Sequence, residues 1–148
     1  MADRATLLVL ASRVEAASGP HDVLDEAIMG AIFRRENRFI GTEEEQDDGT
    51  WMRVPDAVWV DPTTDKWAST HARRFTTDLD AAASLVPEGW QWLGGNFPHP
   101  NATCYPIAGG LTASSGDDDE APRACSVAAA LTAAALRALA QEATSDEQ

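Results

Sequence analysis

The sequence predicts an α+β fold, a sandwich in which helices pack on a small, mostly antiparallel sheet. Three observations point there. Amphipathic stripes with helical spacing recur at the start and in the middle of the chain. Short strand-like runs bounded by Gly and Pro lie between them. The segment 121–143 is built largely on alanine, the strongest helix former. The order read is α–α–(β–β)–α–β–β–α, a single α+β domain over residues 1–148.

Leu7, Leu10, Ala11, Val14 and Ala17 fall at i, i+3, i+4, i+7 and i+10, one face of a helix. Asp3 is placed to cap its start, and Ser18-Gly19-Pro20 to stop it. A second helix follows at once. Asp22, Asp25 and Glu26 complement its positive end, Leu24, Ala27, Ile28 and Ala31 form its stripe, and Arg34 and Arg35 sit near its C-terminal end. The tight turn between the two predicts an αα-hairpin. Residues 36–50 lack a pattern, and the charge run from Glu43 to Asp48 repels itself, which predicts a mobile loop. Trp51 to Val54 and Ala57 to Val60 read as short strands broken by Pro55-Asp56, and Asp61-Pro62-Thr63-Thr64-Asp65 as a turn.

Thr77-Asp78-Leu79-Asp80 fits a capping box, with Thr77 as the cap. Leu79, Ala82, Ala83 and Val86 give the next stripe, which Pro87-Glu88-Gly89 ends. Trp90 to Leu93 is a strand with Trp90 and Trp92 on one face. Gly94-Gly95 and Pro98-His99-Pro100 make a turn into a second strand, Ala102 to Ala108, with Thr103, Tyr105 and Ile107 on one face. Pro106 confines that strand to an edge or an end. Residues 109–120 read as a Gly/Ser linker closing in Asp117 to Glu120. Pro122 suits the first turn of the final helix, whose larger apolar groups are Val127, Leu131, Leu136 and Leu139. Its alanines let it lie close against a sheet, and residues 144–148 form a frayed tail.

The chain carries 24 acidic against 11 basic residues, a formal charge of −13. That argues against direct nucleic-acid binding, which needs Lys and Arg to displace counterions, and against an anionic membrane. No run approaches the ~18 apolar residues of a membrane span. The N-terminus has no cationic stretch followed by an apolar block, so a cytoplasmic protein is expected. The two cysteines, Cys104 and Cys125, are then read as buried thiols, and the sequon Asn101-Ala102-Thr103 carries no meaning.

His21, His71 and His99 are scattered, and neither acidic run matches a calcium loop, so no metal site and no cofactor is expected. No phosphate loop and no nucleophile elbow occurs, and no catalytic residue is assigned. Cys125, near a helix start, is the better of two weak nucleophile candidates. The expectation is a protein that is not an enzyme. The best surface feature is Trp59, Trp67, His71, Arg73 and Arg74, the candidate interaction surface, because Trp and Arg dominate interface hot spots and Arg grips phosphate or carboxylate with two donors. The competing reading has Trp59, Trp67 and Phe75 packing the core and the arginines solvated.

Several pieces occur in a familiar order: Arg13 to Pro20, Leu24 to Ile28, Phe75 to Ala82, Leu85 to Trp90, and the Ala-rich end. Together they resemble small proteins encoded by bacteriophages and prophages, the phage ABA-sandwich domain family. The resemblance implies helix–sheet–helix layering and supplies no catalytic residue. It leaves residues 36–70 outside, as a variable insert. The function expected is a phage-encoded accessory protein that acts in the host cytoplasm by binding, without catalysis. Its partner would be a host protein or complex, such as a defence complex whose basic nucleic-acid channel an acidic surface can occupy. Two other readings stand beside it. One is an oligomeric sponge for a small anionic, nucleotide-like ligand, lined by Arg73, Arg74, Trp59 and Trp67. The other is a minor virion or housekeeping component.

Overall fold

Alanine decides the architecture. The computed structural model describes residues 3–17, 19, 21–96, 99–116 and 124–146. Its longest helix, α4 (Val127–Asp146), is buried at every position from Ala128 to Leu136. A helix that is apolar all round forms a centre rather than a flank. Around it pack α1 (Arg4–Ala16), the short α3 (Leu79–Ala83) and a three-stranded sheet. Leu131 and Leu136 are fully buried, each worth about 1.5–3 kcal/mol of hydrophobic stabilisation. The intervening methyl groups let backbones approach.

The two N-terminal helices form as their stripes predict. Asp3 caps α1 by accepting from Thr6 N at 2.9 Å. Leu7, Leu10, Ala11 and Val14 are buried. In α2 (Asp22–Ile32) the cap is His21, whose Nδ1 accepts from Leu24 N at 3.1 Å. Of the predicted stop between these helices, Ser18 and Pro20 lie outside the described residues.

The sheet against α4 runs in the order β6-β7-β8, all antiparallel: β6 (Trp90–Gly95), β7 (Asn101–Pro106) and β8 (Ala113–Ser115). Its register places Trp92 beside Cys104 and Ala102 beside Ser115. Trp90 and Trp92 share the face turned to the core, and Trp90 Nε1 donates to Glu142 Oε1 at 2.8 Å. A second sheet has the order β1-β4-β5, from β1 (Arg34–Arg38), β4 (Asp56–Val60) and β5 (Trp67–Ser69). A third is a hairpin of β2 (Glu43–Glu45) and β3 (Trp51–Arg53).

The α+β class holds, with four helices among the described residues. The single sheet becomes three, and several boundaries move. Arg34 and Arg35 leave the helix and open β1, where Arg34 and Arg38 bond Asp65 at 2.7 and 2.9 Å. The ladder with β4 holds this strand, which has no apolar alternation, and the exposed ion pairs add little to it. The acidic run is not an unpatterned loop: Glu43 to Glu45 pair with Trp51 to Arg53. The α3 cap is Asp78, not Thr77. Its carboxylate accepts from Asp80 N at 2.9 Å, and Leu79 turns outward. The predicted linker contains β8. The β7 strand closes at Pro106, where the lack of a donor ends it. The last helix begins at Val127 rather than Ala121, because Ser126 Oγ accepts from Ala129 N at 3.1 Å and serves as its cap. It continues to Asp146 and so takes in residues 144–146 of the predicted tail, while 147–148 lie outside the described residues. Asp117 to Glu120 and Pro122 lie outside the described residues.

One ion pair crosses the interior. Arg137 of α4 bonds both carboxylate oxygens of Glu15 in α1 and donates to Ser114 O at 2.8 Å. Ser115 Oγ also donates to Glu15 Oε2, at 2.7 Å. Helix, helix and sheet are thereby tied at one point.

Candidate functional site

A polar cluster inside the fold positions the segment that follows β5. Thr76 N donates to Asp25 Oδ1 at 3.0 Å. Thr132 Oγ1 donates to Phe75 O at 2.6 Å, and Ser126 Oγ to Thr76 O at 3.3 Å. Phe75 and Thr76 are thus held between α2 and α4, with the Phe75 ring fully buried. The residues just before them, 70–74, are carried along one side of a cleft of about 390 Å³.

That cleft joins three elements. From α2 come Asp22, Asp25 and Glu26; from β1 comes Arg35; from the 70–74 segment come His71 and Arg74. Trp59 of β4 forms part of the floor. It stands directly opposite Arg35 in the β1–β4 ladder, and the Arg35 guanidinium lies 4.8 Å from its ring centroid. Asp25 is only 4% exposed, and its burial raises the carboxyl above its ordinary value of 3.8, against the bond from Thr76. Among the described residues, no ion pair joins these carboxylates to Arg35 or Arg74.

The five residues singled out in the sequence divide. Trp59, His71 and Arg74 meet in this cleft. Arg73 turns to another side: its Nη1 donates to Ser84 Oγ at 3.1 Å and its guanidinium lies 5.8 Å from the Phe33 ring. Trp67 is exposed on β5 and does not line the cleft. Trp59 is a core residue that also lines the cleft. Four lining residues carry a sufficient local explanation in the sequence, Asp22, Asp25 and Glu26 as dipole partners of α2 and Arg35 as a helix end. One signal marks Asp25: it lies three and four residues before the buried Ile28 and Met29, a carboxylate on an apolar stripe.

The β2–β3 hairpin is the other distinctive surface. All six paired residues are exposed, with Trp51 63% and Met52 53% accessible. Glu45 stands opposite Trp51, Glu44 opposite Met52 and Glu43 opposite Arg53. The turn is closed by Asp48 Oδ1, which accepts from Thr50 N at 3.0 Å and from Thr50 Oγ1 at 2.5 Å. A two-stranded ribbon of this kind is marginal in water by itself.

The thiols differ from each other. Cys104 is buried, which pushes its pKa up to about 11. Cys125 is exposed, against the expectation of two buried thiols, because it precedes α4 and does not enter its packed length. Among the described residues there is no group of three His, Cys, Asp or Glu arranged to hold a metal ion. No helix there is long and apolar enough to cross a membrane. No family model matches the chain, and neither a curated protein nor a solved structure matches it.

Proposed function

We propose that the chain is an accessory binding protein of the bacteriophage type, acting without catalysis on a host protein or complex that presents a basic, nucleic-acid-binding face. The supporting observation is the β2–β3 hairpin, which exposes Trp51 and Met52 beside Glu43, Glu44 and Glu45. An exposed Trp supplies an anchor for an interface centre. The surrounding carboxylates, within a chain of formal charge −13, select a partner of opposite potential and steer its approach. Pairing across the hairpin leaves each strand with one open edge as well.

Binding to purified basic host nucleases and effector complexes, measured at rising ionic strength, tests the reading. Affinity should fall by about tenfold or more between low and moderately high salt, as expected for charges screened within a Debye length. Trp51→Ala should abolish binding while leaving the fold intact. Binding that ignores both salt and Trp51→Ala, or no binding to any basic partner, overturns the proposal.

A further inference from the structure

We infer that the cleft formed by α2, β1 and the 70–74 segment is a site for a small zwitterion, a free amino acid or a dipeptide. Its amine would be held by the α2 carboxylates and its carboxylate by Arg35 and Arg74. The argument rests on the distribution of charge. Asp22 and Glu26 belong to one element, Arg35 and Arg74 to two others, and all four line the same space without pairing across it. Unpaired charges of both signs in one recess are complementary to a molecule that carries both signs. Two side chains are already held, Arg35 by the Trp59 ring and Asp25 by Thr76 N, so these two add little ordering cost when a ligand enters. At about 390 Å³ the space falls at the small end of ligand pockets.

The same charges exclude simpler ligands. A nucleotide-like polyanion would lie against Asp22, Asp25 and Glu26, and a metal cation would lie against two guanidiniums. Of the two rings expected to line a nucleotide-like site, Trp67 is elsewhere and Arg35 already covers Trp59. The inference is independent of the hairpin and its partner.

Isothermal titration calorimetry of the intact chain provides the test. The probes are L-leucine and glycyl-L-leucine, with N-acetyl-L-leucine, L-leucinamide and ADP as comparisons. At least one of the first two should bind saturably. Removal of either charge, by acetylation or amidation, should weaken binding at least tenfold. Glu26→Gln and Arg74→Gln change exposed side chains, and each should weaken binding by a similar factor. Circular dichroism confirms that both variants are folded, and Trp51→Ala should bind the zwitterion unchanged. Saturable binding of ADP that tightens in Glu26→Gln, equal binding of leucine and leucinamide, or no saturable binding by either zwitterion overturns the inference.

Discussion

Arg137 grips Glu15 with both ends of its guanidinium and so joins the last helix to the first, across 122 residues of sequence. Glu15 is 6% exposed and has one further side-chain partner, the Ser115 hydroxyl. Removing the cation leaves a buried carboxylate with a neutral donor alone. Arg137→Met should therefore cost about 2–4 kcal/mol, somewhat below the full range for a buried pair because the Arg137 side chain is 26% accessible. Urea denaturation measures it. Glu15→Leu combined with Arg137→Met should cost less than the sum of the single changes, and simple additivity would count against the pairing.

Asp25 gives the stability a pH dependence of known sign. Burial, outweighing the bond from Thr76, raises its carboxyl above 3.8 in the folded chain. Between 3.8 and that raised value the folded state holds more protons than the unfolded one. This contribution to stability falls as pH rises through the window, and it is constant above it. Asp25→Asn keeps an acceptor for Thr76 N and cannot titrate. The variant should gain on the natural chain as pH rises from about 3 to 7, when denaturation midpoints are compared across pH. A natural chain that instead gains on the variant over that range disproves the assignment. Asp25→Ala strands the Thr76 amide and should cost about 1–3 kcal/mol at neutral pH.

The thiols predict a clean separation. An aromatic disulfide reagent at mildly alkaline pH should label one cysteine rapidly in the native chain and two after denaturation. The fast site should vanish in Cys125→Ser, since Cys104 is buried and has its pKa raised to about 11. Two fast thiols in the native state would contradict this burial.

Gly109 and Gly116 should respond unequally to alanine. Both have positive φ, +90° and +88°, so each substitution carries a backbone cost of about 1–2 kcal/mol. At Gly109 a new methyl group meets open space. At Gly116 it would lie 2.6 Å from Pro100 O, against backbone that has no easy way to move. Thermal unfolding should place Gly116→Ala clearly below Gly109→Ala, and equal midpoints would refute the close approach.

The helices were readable because their stripes are local, although of the two caps read from the sequence Asp3 holds and Thr77 gives way to its neighbour Asp78. Asp3 caps α1 and the Leu7 to Val14 stripe is buried as spaced. The strand Trp90 to Leu93 was readable from its aromatic alternation. What escaped depends on pairing with another strand rather than on a segment's own periodicity. Arg34 to Arg38 carries no apolar period and is a strand because β4 holds it. Glu43 to Glu45 has unfavourable charge and is a strand because Trp51 to Arg53 pairs with it. The cleft was half legible. Trp59, His71 and Arg74 stood out by residue type, while Asp22, Glu26 and Arg35 had adequate local explanations that concealed their meeting.

The hairpin and the alanine axis differ in how much change each can absorb. Every position of α4 from Ala128 to Leu136 is buried, and interiors are close-packed, so an added methylene there is expected to displace a neighbour. The β2–β3 ribbon leans chiefly on itself, anchored at its base by Val54 N on Thr42 O and by Thr42 on Asp56. Residues 43–53 can therefore be exchanged for another sequence, or another length, without repacking the interior. The molecule is in effect a rigid handle with an interchangeable tip.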